Sequence, residues 1–407
     1  MGELKETLER LASFEPGKYP VSTLYLRLLP QDREGNKYLR VFKDLVKKRE
    51  KDLEVLGLDE EAKASFKGDV KAFLDFLSQP SNLRACRGVA LFSCSRMGMF
   101  EAVKLPYTYR NRLMVAPDPL VREIAAIDEE LGKVAVLLVD RKHVRYFVLD
   151  VGGIEEKLDF IEPLTTRAHR FHSGGSLLKG AEGSFQYRMP SRVAAPNAVQ
   201  HGVGEWRFHT RLKEEWHRIL KLASDALFEE WKRIKFDKLV IGGFLEEGLK
   251  EIERFLHPYL LERLVGYLEL TPEEATPQLV WEKTLDLLWE KDREQEKELI
   301  KELDELIGRG LAVRGTSRVL EMLAIGNVRT LLIAEDFQRP GYLCPKSHLA
   351  FLKPECPLPD EKPLPISDVG DEALEEALDQ RATVEVIIDR ELQKKVDGMS
   401  AFLRFRL

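Results

Sequence analysis

Cysteine is scarce, with four residues in a chain of 407. That is too few for a disulfide scaffold and fits a reducing compartment. Long apolar runs are missing too: no stretch approaches the roughly 18 residues that a membrane helix needs. The opening residues, Met1 to Glu6, read as an amphipathic helix without a signal-peptide core. There is no internal repeat and no low-complexity tract. These absences predict a soluble protein of the cytoplasm, with no membrane partner and no cofactor.

What is present suits globular packing. Hydrophobic residues make up 44% and charged residues 32% of the chain, and the formal net charge is −6. At this length two or three domains are expected. Charge is unevenly spread. Between Pro163 and Lys213 lie eight basic residues, Arg167, Arg170, Lys179, Arg188, Arg192, Arg207, Arg211 and Lys213, against Glu182 and Glu205. The local balance is +6, so the remainder sums to −12. Four of the eight histidines, His169, His172, His201 and His209, fall in the same stretch. An irregular loop of this length is uncommon unless it is functional. Its cations and the rings of Phe171, Phe185, Tyr187 and Trp206 suit RNA phosphates and bases, with Arg167, Arg170, His172, Lys179, Arg188, Arg192, Arg207 and Arg211 as the RNA-binding candidates.

Periodicity gives the framework. Helices are expected at Gly2 to Phe14, Tyr38 to Leu56 and Glu60 to Leu77, and strands at Val21 to Leu28, Gly88 to Cys94 and Met99 to Lys104. A basic-aromatic loop, Tyr107 to Arg112, closes a first domain at 1–128. Lys47, Lys48, Arg49 and Lys51 read as a solvated helix face. A second domain, 129–272, opens with apolar strands Lys133 to Asp140 and Val144 to Val151. The basic loop 163–213 follows. Leu212, Trp216, Ile219, Leu220, Ala223, Leu227, Trp231 and Ile234 then recur at helical spacing, with one buried stripe. Next come a strand, Lys238 to Gly243, helices Leu245 to Leu256 and Pro258 to Val265, and a strand ending near Leu270. A third domain, 273–407, holds a polar helix, Gln278 to Ile307, and a helix from Arg318 to Ile325. Its strand Val328 to Ala334 precedes a Cys-containing insert, 339–365. A helix from Glu372 to Gln380 and strands Thr383 to Ile388 and Ala401 to Leu407 end the chain. Alternating strands and helices make all three domains α/β.

With these elements in order, the chain resembles the bacterial and archaeal relatives of the archaeal/eukaryotic peptide-chain release factor and Pelota, the Balon-like group. The resemblance rests on Val136-Leu137-Leu138-Val139-Asp140-Arg141, on Trp206 to Arg211 before the long helix and Leu239-Val240-Ile241-Gly242-Gly243, and on Gly326 to Ile333 with the ending Phe402 to Leu407. It implies an RNase H-like middle domain and a C-terminal domain resembling the L7Ae-like release-factor C domain. It also makes the basic arm the counterpart of the loop that carries Gly-Gly-Gln. Here that loop reads His172-Ser173-Gly174-Gly175-Ser176, so Gly174, Gly175 and Ser176 are the candidate catalytic positions. Two glycines suit a tight tip, and a backbone amide could still donate to an oxyanion. The long amide side chain is lost.

Stop-codon reading motifs, Asn-Ile-Lys-Ser and Tyr-x-Cys-x-x-x-Phe, are absent. The resemblance therefore implies a factor that occupies the decoding (A) site of idle or stalled ribosomes, in hibernation or rescue, without peptide release. Its partners would be ribosomal RNA of the decoding and peptidyl-transferase centres, tRNA, and a translational GTPase such as elongation factor Tu. A peptidyl-tRNA hydrolase is the first alternative. An RNase H-like nuclease is the second, for which Asp140 and Asp150 stand at strand ends without a third carboxylate. In the insert, Cys344, Cys356 and His348 are the metal-ligand candidates, but a structural zinc site wants four ligands. Ser347 and Pro359 occupy the places of the missing thiolates, so a metal-free insert is expected. Cys86 and Cys94 read as buried core residues.

Overall fold

The computed structural model describes residues 2–14, 17, 19–55, 59–140, 143–157, 197–244, 249–357 and 360–406, with backbone alone for 2–3 and 197–212. The chain forms two compact units, Met1–Glu130 with Trp289–Leu407, and Leu131–Leu288. Among the described residues no helix is long and apolar enough to cross a membrane.

Among the described residues the first unit contains three sheets. In its N-terminal part, helix α1 (Gly2–Ala12) precedes β1 (Val21–Arg27), a short helix α2 (Pro30–Arg33), α3 (Lys37–Val55) and α4 (Glu60–Leu77). Strands β2 (Gly88–Cys94), β3 (Met99–Leu105) and β4 (Arg112–Ala116) complete an antiparallel sheet of order β3-β2-β1-β4. Strand β1 is central, and its β-branched and aromatic residues fit a strand buried on both faces. Phe42 of α3 and Phe66 and Phe73 of α4 pack with Leu24, Leu26 and Leu91 of the sheet. The buried Asp69 carboxylate fastens α4 to that sheet. It accepts from Ser22 Oγ at 2.6 Å, Ser93 Oγ at 2.8 Å and the Ser95 amide at 2.6 Å. Burial raises its pKa, and the three donors oppose that rise.

Helix α5 (Arg122–Leu131) leads into the second unit. Strands β5 (Val134–Val139), β6 (Val144–Asp150) and β7 (Gly153–Glu156) form a meander there. The long helix α6 (Asn197–Ile234), strand β8 (Lys238–Gly243), the single turn α7 (Pro258–Leu261) and β9 (Leu264–Glu269) follow. The sheet order is β7-β6-β5-β8-β9, with β5, β8 and β9 parallel. The order is 3-2-1-4-5, a meander followed by two crossover strands. Every residue of β5 is buried, as a continuous apolar run in a central strand demands. The helical stripe meets this sheet through Trp216, Leu220, Ala223 and Leu227, while Ile219, Trp231 and Ile234 are half-buried beside them.

Helix α8 (Pro277–Gly308) begins the last stretch, with β10 (Ala312–Arg314), α9 (Thr316–Ala324) and β11 (Val328–Ala334). A small sheet of β12 (Gly341–Cys344), β13 (Leu349–Phe351) and β14 (Leu364–Ile366) is inserted next. Helix α10 (Val369–Asp379), β15 (Thr383–Ile387), α11 (Arg390–Val396) and β16 (Met399–Leu403) complete a mixed sheet of order β10-β16-β11-β15. Every domain-sized part is thus mixed α/β.

Several elements differ from the sequence expectations. Residues 107–112 lead directly into β4, which borders β1, rather than ending the sheet in a loop. The helix expected at Pro258 to Val265 stops after one turn, because Leu264 and its successors enter the ladder beside β8. A 3₁₀ turn, Leu249–Arg254, occupies the described part of the expected helix before it. Helix α10 starts three residues earlier than expected because Asp368 caps it, accepting from the Gly370 amide at 2.9 Å. The terminal strand stops at Leu403, since the Arg404 amide turns to the Asn327 carbonyl.

The Gly242-Gly243 pair at the end of β8 has a packing cause. A β-carbon at Gly242 would overlap the Leu138 side chain, and one at Gly243 would overlap the Val139 carbonyl oxygen. Gly243→Ala is therefore expected to destabilise the protein by about 1–3 kcal/mol. A lower urea midpoint at unchanged m-value checks this.

Candidate functional site

Nine of the sequence-derived candidates, Arg167, Arg170, His172, Lys179, Arg188, Arg192, Gly174, Gly175 and Ser176, lie outside the described residues. Arg207 and Arg211 stand on α6 without described side chains. The structure fixes the frame from which the segment departs. Strand β7 at the sheet edge leads into it, and α6 receives it. Arg145 holds the departure side: its guanidinium grips Glu156 through Nε at 2.7 Å and Nη2 at 2.8 Å. Its Nη1 also donates to the carbonyls of Pro272 at 2.8 Å and Ala275 at 2.6 Å. A planar fork of this kind fixes geometry in a way a lysine would not. On the receiving side Glu251 meets His217 at 2.9 Å and Lys213 at 3.9 Å.

The carboxylates weighed for nuclease chemistry separate. Asp140 follows β5, while Asp150 ends β6, which runs antiparallel to it, so they lie at opposite ends of the sheet. Asp140 gathers instead with His143 and Glu273, their ligating atoms within 4.8 Å of one another. The His143 amide donates to Asp140 Oδ1 at 2.6 Å, which closes the β5–β6 turn. Two carboxylates and one imidazole could accept a cation, but they are not the carboxylate set that two-metal cleavage uses.

The insert's cysteines, weighed above as metal-ligand candidates, are bonded to each other. Cys344 and Cys356 form a disulfide across a sequence separation of 12. Glu361 sits beside them, and its carboxylate accepts from the amides of Lys346 at 2.5 Å and Ser347 at 2.9 Å and from Ser347 Oγ at 3.0 Å. The acidic side chain therefore organises the turn. These hydrogen bonds hold its pKa below the usual value against desolvation, the largest influence. His348 lies in the β12–β13 turn with φ of 57° and falls outside the Cys344, Cys356 and Glu361 group. Cys86 and Cys94 are buried.

Sequence reading missed a buried polar centre within the first unit, where the N- and C-terminal parts meet. Arg112, fully buried, pairs with Glu123 at 2.9 Å and with Glu375 of α10 at 3.0 Å, and its guanidinium lies 5.0 Å from the Tyr25 ring centre. Arg110 meets Asp368 at 2.9 Å and Asp371 at 3.4 Å. Arg27 pairs with Glu335, and Arg122 with Asp379. Arg49, expected on a solvated face, instead donates to the Leu113 carbonyl at 2.7 Å. Burial raises the pKa of Glu123 to about 6, opposed by Arg112, and that of Glu372 to about 7, opposed by Arg49. On another side of the junction a cavity of about 80 Å³ is lined by Tyr107, Tyr109, Glu130, Asp292, Glu296 and Glu385. Desolvation and then the charges of Glu130, Asp292 and Glu296 raise Glu385 to about 7.

Residues 133–284 match the family model of bacterial archaeo-eukaryotic release factor family 12. The span starts at β5 and runs into α8, so it holds the whole five-stranded sheet and the basic segment. Over 142 residues the chain is 34% identical to peptide chain release factor subunit 1 of Archaeoglobus fulgidus, covering 33% of this chain. The alignment spans 34% of that relative's length. Among solved structures, Pelota of Archaeoglobus fulgidus aligns with 12% identity and a TM-score of 0.34, over 75% of this chain and 76% of that one. An archaeal translation termination factor aligns with 15% identity and a TM-score of 0.24, over 99% and 98%. Dom34 of S. cerevisiae aligns with 9% identity and a TM-score of 0.34, over 76% and 75%. The sheet that frames the basic segment is release-factor-like.

Two outcomes are expected. Burial lifts the carboxyls of Glu372 and Glu385 to about 7, above the ordinary glutamate range, so the folded protein binds protons more tightly than the unfolded chain. Stability should then fall as pH rises from about 4.5 to 7 and level off above that. Glu372→Gln and Glu385→Gln should flatten that slope in thermal melts. Reducing the Cys344–Cys356 bond, or Cys356→Ser, should cost about 3 kcal/mol in a loop of this length, read as a lower melting temperature in dithiothreitol.

Proposed function

We propose that this chain is a ribosome-associated, release-factor-like protein of the cytoplasm. It occupies the decoding site of idle or stalled ribosomes, in hibernation or rescue, and leaves the nascent peptide in place. The family match across 133–284 carries the reading, because it brackets the basic segment on both sides with one release-factor-like sheet and helix. Within that segment Gly174-Gly175-Ser176 stands where the resemblance places Gly-Gly-Gln. Without the glutamine side chain the loop can fill the peptidyl-transferase site but has lost a group for orienting water. The eight cations of 163–213 supply the attraction for ribosomal RNA phosphates. The RNA-binding roles fall to Arg167, Arg170, His172, Lys179, Arg188, Arg192, Arg207 and Arg211. Transfer RNA and a translational GTPase such as elongation factor Tu are the further partners, through the resemblance.

The same loop supports a second reading, peptidyl-tRNA hydrolysis through its glycine backbone. One set of experiments separates the two. The chain should pellet with 70S ribosomes through a sucrose cushion and be released by high salt. Reversing Arg188 and Arg192 to Glu should weaken binding about tenfold or more, since each phosphate contact adds to the salt-dependent affinity. Ribosomes carrying labelled peptidyl-tRNA should keep their peptide. Peptide release that Gly175→Ala abolishes would replace occupancy with hydrolysis, and failure to pellet would remove both.

A further inference from the structure

The Leu131–Leu288 unit carries a second surface, made wholly of described residues, whose chemistry suits a nucleic-acid base. Phe228 and Trp231, one turn apart on α6, hold their rings nearly parallel, with centroids 5.8 Å and planes 13° apart. The segment entering α7 lays two more rings against them. His257 stacks on Phe228 at 4.0 Å and 13°, and Tyr259 stacks on Trp231 at 5.4 Å and 26°. His257 and Tyr259 are themselves 5.1 Å apart. The result is a two-by-two ring stack. Its geometry is set locally: Pro258 opens the turn of α7, and Arg263 Nη1 donates to the Tyr259 carbonyl at 2.6 Å.

Cations surround the stack. Lys235, the residue after α6, has φ of 56° and brings Nζ to 4.0 Å from the Trp231 centroid. The Arg263 guanidinium lies 5.0 Å from the same ring, and Lys232 Nζ 4.4 Å from that of Phe228. Lys232 pairs with Glu229 at 2.7 Å. Among the described residues Lys235 and Arg263 have no carboxylate partner. Cations at a helix C-terminus complement its dipole, which accounts for their presence there. Burial against the core accounts for Phe228 and Trp231. Neither accounts for Tyr259, which is 51% exposed at the outside of the stack.

We infer that this surface binds a single-stranded nucleic-acid segment. Tyr259 continues its stack onto an unpaired base, and Lys235 and Arg263 hold the adjoining phosphates. A duplex keeps its base faces within its own stack, so the ring selects an unpaired base. The inference stands apart from the decoding-site reading, since it uses no residue of the basic segment.

The test is fluorescence anisotropy of a labelled RNA of about 12 nucleotides, a length within the usual single-strand site sizes. The full chain is used in a background carrying Arg188→Glu and Arg192→Glu, which weakens any contribution of the basic segment. Tyr259→Leu should reduce affinity about 5- to 100-fold, the range for losing one base stack, while Tyr259→Phe should stay within about twofold because the ring remains. Lys235→Glu should weaken binding and lower the salt slope by about one. A DNA strand of the same sequence shows by its relative affinity whether the site prefers ribose, and the stack is supported in either case. Unchanged binding by Tyr259→Leu, equal losses in the Leu and Phe variants, or equal affinity for the RNA duplex would each overturn the inference.

Discussion

The buried guanidinium of Arg112 ties the two ends of the chain together. It sits at the start of β4 with no solvent contact, and its carboxylate partners come from α5 and from α10, the latter 263 residues away in sequence. Removing a charge from water costs several kcal/mol unless partners and hydrogen bonds repay it. Glu123 does so doubly, since its second oxygen accepts from the Tyr109 amide at 2.9 Å. Arg110, two residues earlier, repeats the arrangement with Asp368 and Asp371. Because Asp368 also caps α10, the ion pairs and the helix start depend on one another. The N- and C-terminal parts consequently form one compact unit. Its surplus of carboxylates makes that junction sensitive to pH.

The other unit depends on a different constraint, close approach of backbone. Parallel pairing of β5, β8 and β9 needs β8 to pass tightly by its neighbours, and the Gly242-Gly243 pair permits it. With that sheet in place, β7 and α6 stand as the fixed shoulders of the basic segment. Arg145 adds a clamp on one shoulder and reaches as far as the residues after β9. The described flanks of the segment are thus set by the packing of sheet and helix.

Legibility in the sequence followed the range of the forces involved. The stripe Trp216, Leu220, Ala223 and Leu227 was readable because helical period and burial coincide. Strand β5 was readable as an unbroken apolar run. Strand β4 was not: Arg110 and Arg112 look like a solvated loop until their distant partners are known. The one-turn α7 was overextended for a similar reason, as Leu264 to Glu269 prefer the ladder beside β8 to continued helix. The candidate site was expected from composition, as the +6 segment and its glycine pair, and most of it lies outside the described residues. The Phe228, Trp231, His257 and Tyr259 stack was illegible, because its four rings come from two elements separated by β8.

By itself the sequence determined the α/β class, the order of elements and the concentration of positive charge from Pro163 to Lys213. These are local quantities, set by side-chain period and by the count of charged groups. The tertiary structure alone decided which charges are solvated and which are buried. It joined Cys344 to Cys356, drew Arg110 and Arg112 inside, parted Asp140 from Asp150 and brought His143 and Glu273 to the former. Each of those outcomes depends on partners remote in sequence. An ionic or covalent pairing is fixed only when folding brings its members within a few ångströms, and no local pattern records that distance.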